Sequence, residues 1–287
     1  MTGVLAAFIA QVFFGTSLII DKIFFGEHGE IKVVPYVFWI TVMGSFGMIF
    51  FLFGFNLPDA KTIGIVFLAA LSFILMLICY YQVLSRGEAS EAVPVVGGFA
   101  PLATFLIGEF FVLSSLNSSE AIGFSLLLSG GFALFFSERA RLKELLPWTI
   151  LASLLTGSTN ILEKIVFENT ANFSTAFALM KTATLILGLS MLAVPPLRRG
   201  ILTTSKNTTQ NNRILYFTSR ILAGSGSVLL FYAIKLEEHP AIIESINGFR
   251  YVLVFFLAYL ITRLRPDLLK ESIRGSKIFI KSIATVL

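Results

Sequence analysis

The sequence predicts an all-α polytopic membrane protein: ten transmembrane helices, the tenth incomplete, arranged as two inverted five-helix repeats. Three observations predict it. The 287 residues are 56% hydrophobic and only 14% charged, with a mean hydropathy of +0.85, whereas soluble chains carry roughly a quarter charged residues. Apolar runs of the length needed to cross a bilayer follow one another with short polar connections, each crossing needing about 20 residues. One segment of the first run also reappears in the sixth.

The predicted spans, in order, are 3–25, 34–55, 61–84, 90–113, 119–137, 146–167, 174–195, 213–235 and 240–262. Turn residues and charges separate them: Gly26-Glu27-His28-Gly29, Pro58-Asp59, Ser85-Arg86-Gly87, Asn117-Ser118-Ser119, and the stretch from Glu138 to Glu144. The polar stretch from Pro195 to Arg213 is expected to be a mobile loop. The last residues, 276–287, read as half of a tenth span, because about 12 residues at 1.5 Å each fall short of the ~30 Å hydrocarbon core. The net charge of +5 resides in short loops, which points to membrane orientation rather than nucleic acid. Cys79 is the single cysteine, so no internal disulfide forms. The start of the chain lacks a basic leader, and span one is expected to be retained.

The repeat is explicit in the residues. Gly15-Thr16-Ser17 followed by Asp21-Lys22-Ile23 returns as Gly157-Ser158-Thr159 followed by Glu163-Lys164-Ile165, at an offset of 142. Gly98-Phe99 returns as Gly248-Phe249, at an offset of 150. Two units of five spans, residues 1–137 and 146–287, must insert with opposite orientation because five is odd. That plan belongs to carriers that expose a central site alternately to each side.

The same residues carry a resemblance. Gly15-Thr16-Ser17 with Lys22, Tyr81-x-x-Leu84, Ala89-Ser90-x-Ala92, Pro101-Leu102-x-Thr104 and the Gly123 to Gly130 spacing resemble the EamA-like branch of the drug/metabolite transporter superfamily. The resemblance implies ten helices in two repeats and movement of small metabolites. The sequence departs from the family pattern at the end of span four, where Ser114 stands and Glu109 lies more than a turn earlier, and in the second unit, where Tyr251-Val252 replaces Pro-Leu.

Charges inside spans are costly, at least ~2.5–3.5 kcal/mol each on insertion scales, and so are functional candidates. On span nine Glu244, Asn247, Arg250 and Tyr251 share an arc of roughly 120°. They are expected to bind substrate, together with Arg220 of span eight and Lys181 of span seven. Asp21, Lys22, Glu163 and Lys164, near the ends of spans one and six, are expected to act in gating, each needing a partner on another helix because neighbours in a helix point about 100° apart. Interface anchoring competes with these roles for Lys181 and Arg220, and snorkelling for the Lys22 and Lys164 pairs. Glu109 or Glu244 is the expected proton carrier. Pro94, Gly97-Gly98 and Pro101 are expected to break span four or to serve close helix packing.

With His28 and His239 the only histidines, both in loops, neither a His-based metal site nor a catalytic triad is expected, and no phosphate-binding loop is present. No cofactor is expected. The expected partners are the lipid bilayer, a small-molecule substrate and protons as coupling ion, in the cell membrane. The reading is a secondary transporter of a small polar metabolite such as an amino acid, with efflux of organic cations, a membrane enzyme or a lipid scramblase as alternatives. Loop Lys and Arg residues (Arg139, Arg141, Lys143, Arg198, Arg199, Arg263 and Arg265) place both termini outside. The resemblance implies termini inside.

Overall fold

The computed structural model describes residues 3–28, 32–87, 89–111, 122, 125–126, 129, 144–207, 210–236, 242–243 and 246–265. Nine α-helices are described: α1 Gly3–His28, α2 Val33–Gly44, α3 Ala60–Arg86, α4 Ala89–Phe111, α5 Leu146–Glu168, α6 Phe173–Ser190, α7 Pro195–Asn207, α8 Gln210–Leu236 and α9 Asn247–Leu264. A 3₁₀ helix, Ser45–Phe53, prolongs α2, and a short one, Met191–Ala193, prolongs α6. Seven of these segments are long and apolar enough to cross a membrane. The apolar stretch Val96–Glu109 of α4 is shorter. Most of predicted span five and all of 276–287 lie outside the described residues.

Local chemistry sets several of the ends. Asp59 caps α3, its carboxylate accepting from the Thr62 N–H at 3.2 Å, and Asn172 caps α6 by accepting from the Thr175 N–H at 2.7 Å. Gly54, at φ +119°, ends the 3₁₀ continuation of α2 in a conformation that favours glycine. Beyond it the Asn56 N–H donates to Thr175 Oγ1 at 3.2 Å, which ties the tail of α2 to the start of α6.

One expectation is corrected here. The segment after Pro195 is helix α7 rather than a loop. Two prolines in its first turn supply the φ a helix needs where no N–H partner is required. Ile201 is buried on the side facing α2, where Gly200 lies near Pro35, so a polar composition concealed a one-sided helix.

Helices of the two halves pack in exchanged pairs. α1 lies along α8 and α5 along α3; α1 also touches α9, and α5 touches α4; α2 meets α6, and α4 meets α9. The contacts repeat in detail. A Cβ on Gly15 would come within 2.9 Å of the Leu253 side chain, and one on Gly157 within 2.7 Å of the Ala103 carbonyl carbon. Residues 15 and 157 differ by the first repeat offset, and 103 and 253 by the second. Ser17 and Ser219 hydroxyls share a hydrogen bond of 2.8 Å between α1 and α8, while Thr159 donates to Ser72 at 3.0 Å between α5 and α3. Large apolar side chains such as Leu52, Phe53 and Leu57 cover the outside, as lipid contact requires.

Candidate functional site: a cavity between the halves

Eight of the helices line a cavity of about 540 Å³, with walls from α1 to α6, α8 and α9. Five predicted substrate residues line it: Lys181, Arg220, Asn247, Arg250 and Tyr251. The sixth, Glu244, lies outside the described residues. α4 runs through its glycines and prolines as a continuous helix. A Cβ on Gly97 would fall 1.5 Å from the Tyr251 hydroxyl, so glycine there admits the phenol ring to the wall. Next to it, the Val96 carbonyl accepts from Ser153 Oγ at 2.8 Å.

Arg220, Ser17 and Tyr81 of the cavity wall belong to an ionic cluster around Asp21. Arg220 pairs with Asp21 at 2.5 Å, the two side chains being 8% and 1% exposed. Tyr81 donates to the same carboxylate at 2.6 Å, and Ser219 donates to it as well. The guanidinium lies over the rings of Tyr36 and Tyr216, 5.5 and 5.3 Å from their centroids, and reaches the Tyr36 hydroxyl at 3.3 Å. Arg220 is thus held in the bundle as the counter-charge of Asp21. An ion pair buried this deeply is sustainable only with such additional hydrogen bonds.

Phe50, Phe177 and Phe231 of the wall belong to an aromatic cluster further along α8. Phe50, Phe167, Phe173, Phe177 and Phe231 stack edge-on or face-on within about 6 Å of one another. Lys181 borders this group, its ammonium 5.0 Å from the Phe177 centroid and 4.7 Å from that of Phe231, and it donates to Ser227 at 3.0 Å. Glu163 lines the cavity close enough to interact electrostatically with Lys181. The repeat-related acids Asp21 and Glu163 therefore each stand beside a cation from another helix.

The remaining predicted gating residues lie elsewhere. Lys22 donates to the carbonyls of Leu84 and Gly87 at 3.0 and 2.6 Å, capping the last turn of α3. Lys164 is buried and reaches Glu168 at 3.7 Å. Glu109 is exposed and does not border the cavity. The sequence marked Tyr81 and Ser17 only as parts of motifs, and it did not single out Tyr36, Tyr216 or Ser219, the other partners of the ionic cluster. The Gly-hydroxyl-acid repeat marked Ser17 and Thr159 as equivalent, but nothing in spacing pairs Asp21 with Tyr81 or Arg220, which come from different helices.

The family model for EamA-like transporters matches residues 1–136. No curated protein matches the chain. The matched segment holds α1 to α4, with Asp21, Tyr36 and Tyr81 of the ionic cluster and much of the cavity wall. Residues 1–136 of this multi-pass membrane protein are similar to the EamA-like transporter family.

Proposed function

We propose that the chain is a secondary transporter that moves a small polar metabolite, such as an amino acid, by alternating access between two inverted five-span repeats. The observation that carries the reading is a cavity walled by helices of both halves, with two clusters that we read as seals at different levels of α8, one around Arg220 and one around Phe231. Inversion is supported by helix direction. The start of α1 (Gly3 against Ala233) and the end of α5 (Phe167 against Phe231) meet the same stretch of α8, as expected of repeat-related helices that run in opposite senses. The exchanged contacts of Gly15 and Gly157 support it too. Rocking one half against the other would open the ionic seal while the aromatic seal closes, and then the reverse. The solute's own gradient or a proton gradient would drive the cycle.

Counterflow in proteoliposomes tests the reading. Saturable uptake of a candidate metabolite that is lost in Arg250→Ala supports it. Folded protein that moves no solute from a broad metabolite panel, or Arg250→Ala that transports like wild type, overturns it.

A further inference from the structure

The cations of the cavity differ in how they are neutralised. Arg220 is held by Asp21. Lys181 has Ser227, three phenylalanine rings and the neighbouring charge of Glu163. Arg250 has neither a counter-charge nor a hydrogen-bond acceptor among the described residues: its Nε is buried without an acceptor, and its guanidinium meets a single ring, 5.6 Å from the Phe14 centroid. A cation whose Nε is desolvated, with no counter-ion among the described residues, is costly. Beside it stands Tyr80, whose buried hydroxyl also has no partner and which feels the Arg250 charge. Both residues line the cavity. Two neighbouring buried donors with no acceptor specify an anionic ligand, since a carboxylate accepts from a guanidinium and a phenol together.

The rest of the wall specifies what the anion is attached to. Phe14, Ile40, Met43, Phe73 and Leu77 turn apolar surface into the same space. Such walls favour a ligand that buries an apolar body while a few placed polar groups fix its orientation. We propose that the cavity binds an amphipathic carboxylate, its carboxyl group held between Arg250 and Tyr80 and its aromatic or short aliphatic body against these side chains. The inference rests on the cavity being the solute's path, and it narrows the substrate class to an organic anion with an apolar tail.

Binding to the purified full-length protein in detergent, followed by calorimetry, tests it with three probes: 3-phenylpropionate, propionate and 3-phenylpropylamine. The expected result is saturable binding of 3-phenylpropionate, at least about tenfold weaker binding of propionate, and no saturable binding of the amine. Arg250→Gln should weaken 3-phenylpropionate by about tenfold or more, with Arg250→Lys restoring part of the loss, and Tyr80→Phe should weaken it several-fold. If Arg250→Gln does not fold, Tyr80→Phe decides alone. Equal binding of the amine, equal binding of propionate, or an unchanged affinity in Tyr80→Phe overturns the proposal. Anion binding without flux of any solute in proteoliposomes would defeat the transporter reading and leave this site standing. Flux of a solute with no carboxylate binding would do the opposite.

Discussion

The carboxylate of Asp21 and the guanidinium of Arg220, 199 residues apart in sequence, form a largely buried ion pair between α1 and α8. Each has a second reason to be there: Asp21 also accepts from Tyr81, and Arg220 also lies over Tyr36 and Tyr216. The pair thereby joins four helices, α1, α2, α3 and α8, beside the cavity.

Removing one partner strands the other charge. Asp21→Asn or Arg220→Gln alone should destabilise the detergent-solubilised protein by about 3–5 kcal/mol, the usual cost of breaking a buried pair from one side. The double variant should lose less than the sum of the two. Thermal melts of the four proteins give the coupling directly, and additive losses would show that the pair is not a unit.

The repeated glycines should differ in tolerance. Gly157 faces the backbone of Ala103 and Thr104, which cannot yield, whereas Gly15 faces the Leu253 side chain, which can rotate. Gly157→Ala should therefore cost about 1–3 kcal/mol through overpacking, and Gly15→Ala distinctly less. Equal melting temperatures for the two variants would contradict the close approach of α5 to α4.

These glycines also show what the sequence made legible. The repeat predicted that residues 15 and 157 are equivalent, and the helices they belong to pack in exchanged pairs. Charge inside an apolar run pointed to Lys181, Arg220 and Arg250, all of which line the cavity, because desolvation leaves ionisable groups few other places. Pairing was not legible. Asp21 and Arg220 meet only through the packing of α1 on α8, and the aromatic cluster is built from five phenylalanines in a chain of thirty. Helix α7 was hidden for the opposite reason: its composition is polar, and its single buried face rests on Ile201 and a neighbour from α2.

Lys22 should behave as a structural cap. Lys22→Met removes the ammonium from the Leu84 and Gly87 carbonyls, and a cation at a helix C-terminus is worth about 0.3–2 kcal/mol. A melting-temperature loss of that size, partly recovered in Lys22→Arg, is expected. No loss would show that water satisfies those carbonyls equally well.

Asp59 offers a dependence on pH outside the spans. Hydrogen bonds from Thr62 hold its carboxyl below the ordinary carboxylate range. The ionised cap therefore stabilises α3 above the unfolded pKa, and this contribution fades as the pH falls through the lower folded value. The difference in melting temperature between wild type and Asp59→Ala should shrink on acidification. A difference that grows instead would exclude an ionised cap.

The central claim is that one cavity, walled by both halves, communicates in turn with each side of the membrane. The most direct measurement is thiol labelling of Ser227→Cys, a near-isosteric change in the cavity wall, in a Cys79→Ser background. Membrane-impermeant reagent is applied to sealed vesicles from each face in turn. The account predicts labelling from both faces. Labelling confined to one face under all conditions, or absent from both while the protein remains folded, would contradict it.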